Sequence, residues 1–271
     1  FTADGTTLFE DDFEGHPIGA LAPNGGGGYG PFGAAQVGNW TTRSSPAGSN
    51  QVEITAGGGA GTLGASDFPA LPSEGSKFMG FVRIQSGVIP LALFKDVGGQ
   101  GDAANPNGIV TGTDLHLETM LWIRNVGDGG NISFSDPGVE HTSNLLRVNF
   151  DNAGKKVTNA GTGGNIQKAS GGDLEIITGQ WQKWEFDWEF GSTFTVCIDG
   201  DCSVPQSPKN QIVPNGFWIE SFGPNHPGDG TNGIGIDSTG PATSQTPEKT
   251  WRSDQSGEWH ASGNWSGGGA P

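Results

Sequence analysis

The segment from Gln180 to Cys202 constrains the fold more than any other part of the chain, because its residues 184–190 alternate strictly between aromatic and acidic side chains. Aromatic residues occupy positions 184, 186, 188 and 190, and carboxylates occupy the positions between them: Glu185, Asp187 and Glu189. A period of two residues is that of a β-strand with one buried face. The segment therefore predicts a strand of an antiparallel sheet whose aromatic face lies in the core.

A hairpin is predicted directly after this strand. Phe194–Ile198 reads as a second strand and runs into Asp199-Gly200, the strongest short-range signal for a two-residue hairpin turn. If these two residues are the centre of the turn, Cys197 and Cys202 face each other as a non-hydrogen-bonded pair, close enough to be bridged. We therefore predict a disulfide between them, and with it a protein made in an oxidising compartment.

The charge balance restricts the partners. Lys and Arg total 13 against 29 Asp and Glu, which gives a formal net charge of -16. Such a surface repels nucleic acid and anionic membranes, so we expect neither as a partner. No apolar run approaches the roughly 20 residues of a membrane-spanning helix. The chain begins at Phe1 without a Met, and we expect a leader to have been removed from a secreted or cell-surface protein.

The distribution of turn residues predicts an all-β architecture. The 49 Gly and 17 Pro would favour disorder, but nine Trp and 15 Phe indicate a packed core. We predict one antiparallel β-sandwich or jelly roll over residues 1–240 with long Gly-rich loops, followed by a Ser/Thr/Pro linker and a Trp/Gly-rich tail over residues 241–271. The predicted strands are Thr7–Glu14, Gln51–Thr55, Lys77–Gln85, Val88–Lys95, Asp114–Arg124, Asn144–Asp151, Leu174–Thr178, Trp181–Phe190, Thr193–Ile198, Gly216–Phe222 and Gly233–Asp237.

Three stretches together resemble the concanavalin A-like lectin/glucanase superfamily, and especially laminin-G-like modules of secreted bacterial proteins. They are the opening Leu8–Gly15, the run Gly179–Gly200 with its Trp-strand and Asp-Gly turn, and the closing Gly233–Asp237. The resemblance implies a concanavalin A-like sandwich. It implies no particular activity, because the superfamily holds lectins, hydrolases, lyases and inert spacers.

Alternating polar residues on three strands predict a glycan-binding groove. If the strands Asp114–Arg124, Asn144–Asp151 and Gly216–Phe222 are sheet neighbours, their outer faces combine aromatic rings that stack on pyranoses with polar groups that bond hydroxyls. The alternative is an amphipathic sheet whose outer face is covered by Gly-rich loops. The candidate ligand-binding residues are His116, Glu118, Trp122, Arg124, Arg147, Asn149 and Trp218.

A catalytic alternative rests on the carboxylate strand. Glu185, Asp187 and Glu189 have the E-x-D-x-E spacing that, by the resemblance, supplies nucleophile and general acid in laminarinase-like hydrolases. Here the triplet lies in a later strand than in those enzymes, so we hold it as a reserve catalytic site beside the simpler interpretation of a solvated strand face. A lyase would have to use a reduced set without a nearby tyrosine: His116, Arg147 and Asn149, with Tyr29 in a distant Gly-rich loop.

Acidic residues near both ends of the sandwich predict structural calcium. Asp12 and Glu14 lie near the first strand, and Asp237 ends the last one. The ends of these strands adjoin in the superfamily, and Ca²⁺ takes carboxylate and carbonyl oxygens as ligands. The alternative is simple surface solvation of the three carboxylates.

The sequence thus favours a secreted, non-catalytic module that binds a polysaccharide or cell-surface glycan or mediates surface attachment. One alternative is a structural subunit of an extracellular fibre or layer that assembles through the tail, residues 241–271, by pairing with a neighbour's sheet edge. The other is a polysaccharide hydrolase or lyase.

Overall fold

Sixteen β-strands and no helix make up the regular structure of the residues that the computed structural model describes. Those residues are 1–8, 10–21, 40–43, 50–57, 72–83, 91–96, 108–124, 129–135, 146–151, 156–159, 161–210, 213, 216–221 and 232–237. All of them belong to the first of two units of the chain, Phe1–Pro241. Within these residues no helix has the length and apolar character needed to span a membrane. The predicted tail, residues 241–271, lies outside the described residues, and its boundary stays a prediction.

The strands are short, and most coincide with predicted ones. In chain order they are β1 (Thr2–Ala3), β2 (Thr6–Thr7), β3 (Gly19–Leu21), β4 (Trp40–Arg43), β5 (Asn50–Thr55), β6 (Phe78–Arg83), β7 (Leu91–Asp96), β8 (Asp114–Ile123), β9 (Gly129–Ser135), β10 (Leu146–Asp151), β11 (Lys156–Asn159), β12 (Trp181–Glu189), β13 (Phe194–Ile198), β14 (Asp201–Cys202), β15 (Gly216–Ser221) and β16 (Asn232–Asp237).

Two antiparallel sheets pack face to face. The ten-stranded sheet has the order β14-β13-β12-β8-β16-β6-β5-β3, with β1 paired to β8 and β2 paired to β1, and the six-stranded sheet has the order β11-β10-β9-β15-β7-β4. Buried side chains of both sheets form one hydrophobic cluster. Across it, the ring centroids of Trp188 on β12 and Phe134 on β9 lie 6.2 Å apart. The predicted all-β sandwich is confirmed.

The alternation predicted for β8 and β12 explains how these strands enter the core. Leu115, Leu117, Leu121 and Ile123 are at most 3% exposed, whereas the residues between positions 115 and 121 on the other face of β8 are half-buried. Burying a large apolar side chain stabilises a fold by roughly 1.5–3 kcal/mol, so a strand with one apolar face has one strongly preferred orientation. Trp184, which is fully buried, fixes β12 in the same way.

The predicted hairpin and disulfide are confirmed. Asp199 and Gly200 have φ values of 51° and 86°, and positive values at both central residues define the type I′ turn that matches the twist of a hairpin. Cys197 is the Cα partner of Cys202, and the two form a disulfide with 3.9 Å between their Cα atoms.

Two of the predicted strands do not form as predicted. In one, a local hydrogen bond turns the chain; in the other, an isolated bridge stands where continuous strand pairing was expected. After Thr7 the chain turns instead of extending to Glu14: the Asp11 side chain accepts the N–H of Phe13, whose φ is 63°. Such side-chain acceptors compete with strand pairing. Leu174–Thr178 forms only an isolated bridge from Glu175, although Leu174 and Ile176 are buried.

Strands β9 and β11 of the six-stranded sheet are among those that were not predicted. β9 begins at Gly129, within a glycine-rich run that indicates a turn, and β11 is only four residues long. Both owe their existence to pairing with β10, which lies between them in the sheet. A short strand of this kind is specified by its neighbours more than by its own composition.

Candidate functional site

The two candidate sites on β8 and β12 merge into one. These strands pair so that Glu118 is the Cα partner of Glu185, and His116 is the partner of Asp187. Because residues on one face alternate along both strands, the side chains of both pairs lie on the face turned away from the core. With Lys183, the next outward residue of β12, they form a cluster that we call the polar patch: His116, Glu118, Lys183, Glu185 and Asp187.

Positive and negative groups alternate through the polar patch. His116 Nδ1 lies 2.7 Å from Asp187 Oδ1, and its Nε2 lies 3.8 Å from Glu118 Oε2. The Lys183 ammonium then joins the two glutamates, at 3.0 Å from Glu118 Oε2 and 3.1 Å from Glu185 Oε1. The patch is therefore one connected network of charged groups, although the residues of β8 and those of β12 are far apart in the sequence.

The acidic surroundings favour the charged form of both cations. The pKa of His116 is raised above its ordinary value by the hydrogen bond to Asp187, against a smaller opposing effect of burial, and by the charges of Asp187, Glu118 and Glu185. For Lys183, burial opposes the charged form most, but the hydrogen bonds to Glu118 and Glu185 outweigh it and the pKa is raised. The patch thus holds two cations among three carboxylates under mildly acidic conditions.

A surface pocket of about 460 Å³ adjoins the patch at His116 and Asp187. This volume lies in the range of small-molecule sites, roughly 300–1,000 Å³. β1 forms one wall, because Thr2 is the Cα partner of His116 on the side of β8 opposite β12. Nothing in the sequence predicts this wall. The polar residues that line the pocket are Thr2, Asp114, His116, Asp187, Glu189 and the threonines Thr193 and Thr195.

Trp122 and Arg124 lie at the other end of β8. Trp122 is only 7% exposed, so little of its ring is available to a sugar. Its Cα partner Trp181 is half-buried and packs on Phe78 with 5.3 Å between ring centroids. A Cβ at Gly235 would lie 2.8 Å from Cη2 of Trp181, so a residue without a side chain is required there for the ring to fit. Arg124, just past the end of β8, is half-buried.

The remaining predicted contacts lie in the other sheet. Arg147 on β10 and Trp218 on β15 are both Cα partners of Ser133 on β9, and Asn149 is the partner of Asn131, with the pair Val148 and Ile132 in between. The expectation that β8, β10 and β15 are sheet neighbours is therefore wrong, and the single groove is not formed. β9, whose Asn131 and Ser133 are fully buried, separates β10 from β15.

The carboxylate of Glu14 accepts hydrogen bonds from two backbone N–H groups and a hydroxyl. Its Oε1 accepts the N–H groups of Ser76 and Lys77 at 2.6 and 2.7 Å, and its Oε2 accepts the Ser76 hydroxyl at 2.6 Å. The Lys77 ammonium in turn donates to the carbonyl oxygens of Glu14 and His16, both at 2.8 Å. An internal ammonium thus ties the amino-terminal turn to the start of β6.

The same loop also holds Asp237, which is 1% exposed. Its Oδ2 accepts the N–H and hydroxyl of Ser73 at 2.9 and 2.7 Å, and the N–H of Glu74 at 3.0 Å. Asp12 accepts the N–H of Glu14 at 3.0 Å. Glu14 and Asp237 therefore contact one loop, and each of the three predicted calcium ligands already accepts a hydrogen bond.

The polar patch fits a metal ion better than the amino-terminal residues do. One atom from each of His116, Glu118 and Glu185 lies within 4.8 Å of the other two, and no other group of three metal-ligating side chains in the described part of the chain meets this distance. Asp12, Glu14 and Asp237 do not converge in this way. The period of β12 predicts the outward position of Glu185, but His116 and Glu118 come from β8, which is adjacent in the sheet and distant in the sequence.

The chain matches no protein-family model and no curated protein. Solved structures with a similar fold include a sialidase, with a TM-score of 0.48, 10% identity and 79% of this chain covered. The chain spans 18% of the length of that sialidase. An endo-β-1,4-glucuronan lyase from the fungus Trichoderma reesei has a TM-score of 0.47 and 8% identity, with 78% of this chain and 92% of the lyase covered.

A Bacillus licheniformis β-glucanase has a TM-score of 0.44 and 13% identity, with 80% of this chain and 97% of the glucanase covered. No conclusion about binding or catalysis follows from similarities of this size. The two antiparallel sheets agree with the concanavalin A-like expectation. The laminin-G-like subgroup stays a prediction.

Proposed function

We propose that the chain is a secreted, non-catalytic module that binds a glycan on the outer face of β8, β12 and β13. The observation that supports the proposal is the polar patch beside a pocket of about 460 Å³. The pocket presents carboxylates, an imidazole and threonine hydroxyls, which are the donors and acceptors that sugar hydroxyls require. The disulfide between Cys197 and Cys202 supports an extracellular location.

The charges around the pocket favour a neutral glycan over a uronic acid polymer. Asp114 and Glu189 extend the acidic face beyond the patch, so carboxylates outnumber the two cations, His116 and Lys183. The whole chain carries a formal charge of -16. A polyanionic glycan would be repelled by this surface, whereas hydroxyl groups of a neutral one can donate to its carboxylates.

The decisive experiment is binding of the full chain to arrayed neutral and acidic polysaccharides, with the same wells monitored for released product. We expect saturable binding to a neutral polysaccharide without product. H116A and D187N should weaken binding, and D201N, which removes an exposed carboxylate of β14, should leave it unchanged. Absence of both binding and product would reject the module and favour the structural subunit.

The contacts predicted on the two sheets can be separated by mutation. Trp122 lies on β8 with His116, and Arg124 directly follows that strand. Arg147, Asn149 and Trp218 belong to the six-stranded sheet. We expect loss of binding in H116A and little change in R147A, N149A or W218A. The reverse pattern would move the glycan site to the six-stranded sheet.

A hydrolase is the second candidate, favoured by the approach of two glutamates. Glu118 and Glu185 bring carboxylate oxygens within 4.8 Å of each other, while retaining glycosidases hold their two carboxyl groups about 5–5.5 Å apart. The Lys183 ammonium lies between the two carboxylates and donates to both. Release of reducing ends that is abolished by E185Q and retained in E189Q would establish hydrolysis.

A lyase has less support. His116 lies in the ten-stranded sheet and Arg147 and Asn149 in the six-stranded one, so they do not form one set, and Tyr29 lies outside the described residues. The structural subunit depends on residues 241–271, which also lie outside them. Concentration-dependent assembly that is lost on deletion of residues 241–271 would support that alternative.

Structural calcium at Asp12, Glu14 and Asp237 stays a separate prediction. Calcium would have to displace N–H donors from these carboxylates, so we expect only a small stabilisation. The measurement is the unfolding temperature with added calcium and with a chelator. Equal unfolding temperatures with calcium and with chelator would mean that calcium does not stabilise this end of the sandwich, and that the hydrogen bonds of Lys77 and the N–H groups hold it together.

A further inference from the structure

We infer that the polar patch is a binding site for a divalent transition-metal ion of the zinc class, with His116, Glu118 and Glu185 as its ligands. One atom of each side chain lies within 4.8 Å of the other two. All three are half-buried on a rigid sheet, where paired strands fix their Cα positions. The inference does not depend on glycan binding, because it concerns only side chains of the chain itself.

Asp187 gives His116 the orientation of a metal-ligating histidine. The Nδ1–H group donates to Asp187 Oδ1 at 2.7 Å, which leaves Nε2 as the ring nitrogen that faces Glu118 Oε2 at 3.8 Å. Histidines that bind metals commonly donate their other ring N–H to a carboxylate in this way, which fixes the ring and increases its basicity. Asp187 is thus a positioning residue for the ligand and not a ligand itself.

A cation already lies between the two carboxylate ligands. The Lys183 ammonium is 3.0 Å from Glu118 Oε2 and 3.1 Å from Glu185 Oε1, so these oxygens are arranged to bind positive charge. The Lys183 side chain is 39% exposed and has a flexible stem, so it can turn toward solvent when a metal ion enters. Lys183 is therefore a built-in competitor, and its removal should strengthen metal binding.

The donor set selects the class of metal. Calcium takes six to eight oxygen ligands, and magnesium retains most of its water, so neither favours an imidazole with two carboxylates. Zinc and its divalent neighbours accept nitrogen and oxygen together, and three protein ligands leave a further position for solvent. The metal site inferred here differs in place and chemistry from the calcium predicted near the amino-terminal turn.

The test is titration of the full chain with Co²⁺, followed by its visible absorption, and with Zn²⁺, followed by calorimetry, near neutral pH and without sugar. We expect one saturable site that is lost in H116N and in E185Q. D187N should weaken binding by about 10–100-fold, as removal of an orienting carboxylate does. K183M should strengthen it by about tenfold, since it removes a like charge next to the ion.

Two matched controls locate the metal. H16N removes a histidine that also bonds a carboxylate, Asp11, at 3.1 Å but belongs to no three-ligand group among the residues that the structure describes. E189Q removes an exposed carboxylate on the same face of β12. Both should bind metal as the wild type does, and circular dichroism should confirm that every variant is folded. Wild-type affinity in H116N, or an affinity in K183M that does not rise, would overturn the inference. Because sugar is absent, neither result bears on the proposed glycan function.

Discussion

Two groups of carboxylates on this sandwich differ in what holds them, and so in what they can do. Glu14 and Asp237 accept hydrogen bonds chiefly from N–H and O–H groups of one loop, residues 73–77. In the polar patch, Glu118 and Glu185 accept theirs from the ammonium of Lys183. Backbone donors cannot leave without unfolding the loop, whereas a lysine side chain can turn away. The first group therefore fastens the fold, and the second can exchange its cation for a ligand.

The comparison implies opposite consequences of mutation. Removing a carboxylate that backbone N–H groups surround should cost stability and leave binding intact, because the lost acceptor is structural. Removing one from the polar patch should cost little stability, since ion pairs at a protein surface contribute about 0–1 kcal/mol, but should change binding. Four predictions test this difference.

The largest effect is expected for Asp237→Ala. The substitution leaves two N–H groups and a hydroxyl of Ser73 and Glu74 without their buried acceptor, so we expect the free energy of unfolding to fall by about 3 kcal/mol or more. Chemical denaturation measures it, with E189Q as a control on an exposed carboxylate. A loss below about 1 kcal/mol would show that the loop finds other acceptors, and would contradict the distinction between structural carboxylates and those of the polar patch.

Loss of the disulfide should have the next largest effect. The double variant C197S/C202S opens a loop of sequence separation 5, for which chain entropy gives a destabilisation of about 2 kcal/mol. Because Cys197 is the Cα partner of Glu185, the variant also tests whether the hairpin supports the patch. Denaturation with and without reductant provides the measurement. Unchanged stability would mean that the type I′ turn alone closes the hairpin.

A smaller and pH-dependent effect is expected for Glu14→Gln, which should lower the free energy of unfolding by about 1 kcal/mol at neutral pH. Burial raises the pKa of Glu14, but the hydrogen bonds from Ser76 and Lys77 outweigh it, and the pKa in the folded state is lowered. Its contribution is therefore present above the pKa of the unfolded chain and is lost as the pH falls through the lowered value. The difference between wild type and variant, measured by denaturation across this range, should disappear in acid; a constant difference would contradict the assignment.

The smallest effect concerns His116 and Asp187. Since the hydrogen bond to Asp187 raises the pKa of His116, the pair stabilises the fold below the ordinary pKa of histidine, and this contribution is lost as the pH rises through the raised value. Because Asp187 is 59% exposed, we expect the pair to contribute only about 0.5 kcal/mol to the free energy of unfolding. An NMR titration of His116 in wild type and D187N measures the pKa directly. An identical pKa in both would show that the pair is not formed in solution.

Local pattern was sufficient for the strands at the centre of the site. The alternation of aromatic and acidic residues predicts β12, and the outward positions of His116 and Glu118 on β8 follow from the same period. The turn at Asp199-Gly200 and the disulfide were predictable because they depend on residues a few positions apart. Where short side chains offered local hydrogen bonds, as Asp11 does to Phe13, the same pattern predicted a strand that does not form.

The sequence by itself therefore determined the all-β class, the two alternating strands and the bridged hairpin, since burial of one strand face and turn geometry are local properties. Only the tertiary structure decided which strands are neighbours. It placed β12 beside β8, so that Glu185 meets Glu118, and it placed Arg147 and Trp218 in the other sheet. The physical reason is that strand pairing is specified by long-range packing of whole faces, which the period of a single strand does not contain.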